Sequence, residues 1–274
     1  MNNTTHHIGS KKALFLPEQS DTSEEGSSRS QKNHKHNEPG KPLISVITVV
    51  FNGKNYIEQA IRSVIGQTYD NVEYIIIDGG STDGTLDIIK QYGEAIDYWV
   101  SEKDHGVYDA MNKGVKLSNG DYILFLGCDD YLFDVFHEIV NSFQEKTVSY
   151  YGDVILSKNK KEYGGIFYSL KLFIKNIPHQ AIFYSRHVFA DFKFDCKYIT
   201  VADYALNLKI FSNKKHGMKY ISKTIAYYNN EHGISSTLID HAFSLDKPEI
   251  INNYYSIFNY IIYMFLRFIF KIKR

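Results

Sequence analysis

Three short apolar runs decide most of what this chain can fold into. Ile44 to Phe51, Val72 to Ile77 and Tyr122 to Leu126 are rich in β-branched or aliphatic residues, and each breaks off into a polar or glycine-containing turn. Runs that are apolar on both faces belong in sheets covered on both sides, which means largely parallel sheets. Between them the spacing changes to that of helices. Ile57, Ala60, Ile61, Val64 and Ile65 form one stripe. Leu86, Ile88 and Ile89 form a second, entered through Ser81 and Thr82, and Val107, Ala110, Met111 and Val115 form a third that ends at Gly120. Tyr98 to Ser101 adds a short strand. This alternation predicts an α/β fold with a mainly parallel central sheet flanked by helices. In such sheets ligands bind beyond the carboxyl ends of the strands, so the turns after the runs are where chemistry is expected.

Those turns are acidic. Asp129 and Asp130 close the run YILFLGCDDYL. Two adjacent carboxylates repel and resist desolvation unless a cation accompanies them, and a hard divalent ion shared with a diphosphate is the usual resolution. A solvated Asp-Asp turn leading into a helix at Phe133 is the plainer alternative. Asp78 ends the second run and is followed by Gly79 and Gly80, which let the backbone turn sharply toward a ligand. Asp83 reads as a turn or cap residue. Asp104, His105, Tyr108, Asp109, Asn112 and Lys113 then cluster, and on a helix starting near Gly106 the spacing puts Asp109 with Asn112 and Tyr108 with Asn112 on one face. Such residues grip hydroxyls or neutralise phosphate; a solvated helix face is the alternative, especially for Lys113.

The segment ISVITVVFNGKNYIEQAIRSVIGQTYDNVEYIIIDGGSTDGTLDIIKQY, followed by EKDHGVYDAMNKGVKLSNGDYILFLGCDD, resembles the opening of an inverting family 2 glycosyltransferase of the GT-A fold, of the bacterial surface-polysaccharide type. The match runs from about Pro42 to Leu132, and a weaker one appears at TVADYALNLKIF. The resemblance implies a Rossmann-like GT-A domain that moves a sugar from a nucleotide-sugar donor, a UDP-sugar ahead of a GDP- or dTDP-sugar. The acceptor it implies is a hydroxyl of a glycan or lipid-linked glycan precursor. It assigns donor contacts to Asp78, Asp104, Asp109, Asn112, Lys113 and Asp129, and a divalent cation, Mg or Mn, to Asp130. His179 and Gln180 fall on the acceptor side, with a structural histidine as the alternative. Asp203 takes the position of the catalytic base, although a carboxylate in the first turn of a helix is also favoured by helix polarity alone. Two departures stand out: Gly79 and Ala202 occupy places where many relatives carry a second acid. A nucleotidyltransferase acting on sugar phosphates, or a non-catalytic glycan-binding or scaffolding relative, are the readings from other classes.

The remaining sequence divides readily. A formal net charge of zero excludes a nucleic-acid binder working through bulk electrostatics. Residues 1–41 are polar, lack an apolar signal core and are predicted to be a disordered tail. His6, His7, His34 and His36 are scattered along it without metal-ligand spacing. The catalytic domain is expected over 42–237, as a nucleotide-sugar half (42–132) and an acceptor half (133–237). Cys128 and Cys196 read as reduced core thiols of a cytoplasmic protein. Within 238–274, Ile250 to Arg274 is apolar except for a stripe of Asn252, Ser256, Asn259, Tyr263, Arg267 and Lys271. That pattern predicts an amphipathic helix lying on the inner face of the plasma membrane rather than spanning it, with packing on the domain or a dimer contact as alternatives.

Overall fold

The computed structural model describes residues 23–29, 35, 40–231 and 239–270. Strands β2 (Ile44–Val50), β3 (Val72–Asp78), β4 (Tyr98–Ser101) and β5 (Tyr122–Gly127) pair in parallel in the order β4-β3-β2-β5. The sheet extends through β9 (Ile182–Ser185), β7 (Ser149–Leu156), β10 (Met218–Tyr228) and β6 (Tyr131–Leu132), with β8 (Glu162–Tyr163) on β7. Antiparallel pairs join β9 to β5 and to β7, while β7 and β10 run parallel. Strand alternation sends Ile47 and Val49 to one face and Val46 and Val50 to the other, and each face has its own core. Helices α1 (Ile57–Ile65) and α2 (Thr85–Gln91) cover the second face. On the first lie α3 (Val107–Leu117), α5 (Ser169–Ile174) and α7 (Ala202–Phe211). Short α4 (Phe136–Ile139) and α6 (Val188–Asp191) complete the domain. The expected α/β sheet is therefore present, mixed at one side because β9 enters antiparallel.

Several local expectations change. Glu24–Ser27, inside the tail predicted to be disordered, forms β1 and pairs antiparallel with β4. Sheet pairing needs only backbone and an open edge, so a segment poor in apolar residues can still dock; Gly26 fits because any Cβ there would lie 2.5 Å from the Trp99 indole. Arg29 reinforces it by pairing with Glu73 at 3.1 Å. The tail histidines lie outside the described residues. Ile65 is 42% exposed, at the edge of the α1 stripe. Cys128 is half-buried and Cys196 exposed, so neither is a fully enclosed core thiol.

The C-terminal region is two helices, α8 (His241–Tyr254) and α9 (Ile257–Phe270), broken at Tyr255 and Ser256. Asp240 caps α8 by accepting a hydrogen bond from the Phe243 N–H. Lys247 on α8 is almost wholly enclosed, with Nζ donating to the Tyr204 hydroxyl at 3.0 Å and lying 4.3 Å from the centre of that ring. Burial, with Arg267 adding repulsion, pulls its pKa from the ordinary lysine range down to about 7. An unfolded lysine keeps its proton to about 10.4. Between those values the unfolded chain binds more protons than the folded one, so stability rises with pH. Lys247→Met should flatten that rise and raise the melting temperature most near neutrality and below. Thermal melts across that range check it, and an unchanged slope in the variant counts against the account.

Candidate functional site

Parallel pairing of β2 through β5 brings their carboxyl ends to one edge, where four turns meet. After β2, Asn52 adopts a left-handed conformation (φ 52°) and its side-chain oxygen accepts from Thr82 N–H at 2.9 Å, tying this turn to the one after β3. Asp83 accepts from the N–H and hydroxyl of Thr85 and from the Lys54 N–H, the turn role the sequence suggested. Asp78 is fully buried and holds its turn together. It accepts from Ser81 N–H at 3.0 Å, from the Ser81 hydroxyl, and from the Ser101 hydroxyl at 2.5 Å.

Asp104 crosses from the end of β4 to the β3 turn. A Cβ on Gly79 would lie 2.6 Å from its Oδ2, so Gly79 is the residue that lets this carboxylate approach. Asp104 therefore holds its carboxylate against the β3 turn beside Gly79, and it also accepts from Gly106 N–H at 2.8 Å.

Helix α3 divides the residues the sequence grouped together. Asp109 accepts from His105 N–H at 3.1 Å, and Lys113 pairs with Glu102 at 2.9 Å, both beside the turn after β4. Tyr108 and Asn112 share the other face, as their spacing requires, but that face looks toward Phe194 and α7. Asn112 is committed there: its amide donates to Phe194 C=O at 2.9 Å and accepts from Phe194 N–H at 3.1 Å. It is not gathered with Asp109 and Lys113, and its amide ties α3 to the segment at Phe194.

The acidic pair is split by burial. Asp130 is 2% exposed, while Asp129 is half-buried. Asp130 accepts from Gln180 Nε2 at 2.8 Å and from Asn229 N–H at 2.7 Å. The second bond follows from topology: β6 pairs antiparallel with β10, so the residues just before one and just after the other meet. Burial, and then the charge of Asp129, push the Asp130 carboxyl well above the usual carboxylate range. No helix opens directly from these aspartates, because β6 intervenes before α4, so the cap alternative does not apply.

Asp203 sits in the first turn of α7 and is 6% exposed. Its carboxylate turns away from the helix N–H groups onto side chains from elsewhere. Tyr108 donates its hydroxyl at 2.8 Å, Asn176 its amide at 2.8 Å, and His179 Nδ1 lies at 3.4 Å. Burial pulls its pKa upward, but the hydrogen bonds and charge of His179, with Tyr108 and Asn176, outweigh it and hold the group below the usual range. Asn176 is itself fixed, accepting from the Asn207 amide at 2.9 Å, while Asn207 accepts from the buried Tyr184 hydroxyl.

A single turn of 3₁₀ helix, His179–Ala181, joins the two acidic centres. His179 meets Asp203, and the next residue, Gln180, meets Asp130. Residues 45–200 match the model of the family described as Glycosyl transferase family 2. The chain belongs to that family. A PGL/p-HBAD biosynthesis glycosyltransferase of Mycobacterium tuberculosis (strain ATCC 25177 / H37Ra) is 36% identical over 216 residues, covering 76% of this chain and 84% of the relative. Staphylococcus aureus TarS in complex with UDP-GlcNAc superposes with a TM-score of 0.61 at 18% identity, covering 77% of this chain and 66% of that one. A Pyrobaculum calidifontis mannosyltransferase, PcManGT, in complex with GDP-Man and Mn2+, gives 0.56 at 15% identity, covering 77% and 62%. This chain thus spans about two thirds, or slightly less, of those solved chains. The fold is the GT-A glycosyltransferase fold, and the candidate site is the place where the turns after β2 to β5 face the 3₁₀ turn.

The residues the sequence did not single out are those that hold its candidates: Asn176 and the backbone of Asn229, together with Ser81 and Ser101. Among the described residues no group of three His, Cys, Asp or Glu side chains could cage a metal. The donor set is two consecutive carboxylates, one deeply buried and hydrogen-bonded only to neutral groups. That set fits a hard divalent ion that completes its shell with phosphate oxygens, the habit of Mg²⁺.

Proposed function

We propose that this glycosyltransferase moves a sugar, with inversion, from a nucleotide-sugar donor to a hydroxyl of a glycan or lipid-linked glycan precursor. The observation that carries the reading is the 3₁₀ turn, whose adjacent residues contact Asp203 and Asp130 and so tie the two acidic centres together. A UDP-sugar is favoured as donor over GDP- or dTDP-sugars. UDP-GlcNAc in the TarS complex supports that choice, while GDP-Man in PcManGT keeps the guanine nucleotide in the test.

Asp78, Asp104, Asp109 and Lys113 line or brace the donor edge. Asp130, with Asp129, would hold Mg or Mn. Such an ion, when bound, meets charge developing on the leaving diphosphate. Asp203 is held ionised and accepts the proton of the acceptor hydroxyl. The hydroxyl oxygen bonds to the anomeric carbon as the bond to the diphosphate breaks, and the nucleoside diphosphate leaves with the electron pair. Tyr108 and Asn176 keep the carboxylate oriented, and His179 Nδ1 lies 3.4 Å from it. A cytoplasmic location against the inner face of the plasma membrane belongs to the same proposal.

The test is a panel of UDP-, GDP- and dTDP-sugars incubated with the protein, with and without Mg or Mn and first without acceptor. One donor should be consumed, releasing free nucleoside diphosphate, and only with cation present. Formation of a nucleoside triphosphate and a sugar phosphate when pyrophosphate is added to the same panel would assign a nucleotidyltransferase instead, and no consumption of any donor counts against catalysis.

A further inference from the structure

Helix α9 turns Asn259, Tyr263 and Arg267 of the polar stripe toward the domain. Tyr263 is 1% exposed and meets the Phe173 ring of α5 at 5.6 Å, while Arg267 reaches the Ser244 carbonyl at 3.5 Å. At 100° per residue the opposite face carries Ile257, Phe258, Ile261, Phe265 and Phe268. All five are more than half exposed, Phe268 by 84%. Leaving such apolar side chains in water forgoes the free energy that covering them would release. A helix that hides its polar side against its own domain and shows its apolar side outward is built to be covered.

Charge and length identify the cover. No Asp or Glu occurs after Glu249, whereas Lys271, Lys273 and Arg274 gather at the C-terminal end. A second copy meeting it through the same helix would offer the same apolar face and no acidic residue from α9. Anionic lipid headgroups supply the opposite charge. The 14 residues of α9 span about 21 Å, short of the roughly 30 Å hydrocarbon layer. No helix among the described residues is long and apolar enough to cross a membrane.

We infer that α9 lies flat in the surface of an anionic bilayer, its Phe and Ile side chains inserted and its basic end among the headgroups. The helices beneath it belong to the acceptor side. Helix α9 packs on α5 and α8, α5 runs on to Asn176, and α8 packs on α7, which carries Asp203. The bilayer is thereby set against the half of the domain that receives the acceptor. That last point rests on the transfer reading, but the membrane contact itself does not.

The experiment sediments the full chain with phosphatidylcholine vesicles, with and without phosphatidylglycerol, in the absence of any sugar nucleotide. The chain should pellet with the anionic vesicles and be released by salt. Replacing Phe258, Phe265 and Phe268 together by Ser should lower the partition coefficient by about 100-fold or more. The melting temperature should hold, because the three rings are exposed. Lys271→Glu with Lys273→Glu should weaken binding to anionic vesicles while leaving the apolar face intact. Equal binding to neutral and anionic vesicles, no binding, or binding indifferent to the Phe substitutions overturns the assignment. So does self-association that the triple variant abolishes without change in vesicle binding, which would make the cover a second copy. Donor consumption, measured separately without vesicles, reports on the transfer reading alone.

Discussion

Asp130→Ala should abolish cation-dependent sugar transfer while moving the melting temperature only slightly. Losing an ion that bridges a leaving diphosphate removes several kcal/mol of transition-state stabilisation, which corresponds to about 10²- to 10⁴-fold in rate. The fold has opposing terms at this position. The substitution takes away the hydrogen bonds that Asp130 accepts from Gln180 and Asn229, each contributing about 0.5–1.5 kcal/mol. It also removes a buried carboxylate that sits beside the charge of Asp129, an arrangement that costs stability when no cation is bound. The net change should stay within about 1–2 kcal/mol. Asp129→Ala should act in the same direction but more weakly, since Asp129 is the less enclosed of the two. Near-full turnover of Asp130→Ala at saturating Mg or Mn would sink the cation assignment.

What was legible in the sequence follows a rule of range. Strands β2, β3 and β5 announce themselves because a strand buried on both faces has to be apolar throughout, and α1 does so because its core side repeats at helical spacing. Both signals are local. The partners of Asp203 are not: Tyr108 is 95 residues away and Asn176 is 27 away. Asn229 reaches Asp130 across 99 residues. No spacing rule encodes such meetings, which arise from the order in which strands join the sheet. Asn112 marks the boundary between the two kinds of information. Its helical face was legible, together with Tyr108, but the element that face meets depends on where the loop at Phe194 returns. The C-terminal stripe behaves alike. Its period survives in α9, while the inward turn of its polar side is decided by Phe173 and Ser244. For β1, pairing draws on backbone rather than side chains, so a polar segment gave no sign of it.

Asp203→Asn separates a catalytic carboxylate from a structural one. The amide keeps the size of the side chain and can keep its bonds. Its oxygen can accept from Asn176 and His179, and its nitrogen can donate to the Tyr108 hydroxyl, which accepts as readily as it donates. Donor affinity, cation affinity and melting temperature should therefore hold, whereas turnover should fall by about 10²-fold or more, the scale of a lost positioned proton acceptor. The wild-type pH profile carries a second signature. Because the folded site holds Asp203 below the usual carboxylate range, it stays ionised at neutral pH, and its contribution to rate should disappear only as pH falls through that lowered value. His179→Gln is the companion measurement. If the ring only steadies Asp203, the loss should be about tenfold, because Tyr108 and Asn176 still hold the carboxylate. Should Asp203→Asn turn over normally while His179→Gln does not, the proton goes to the imidazole, and Asp203 becomes the group that orients it.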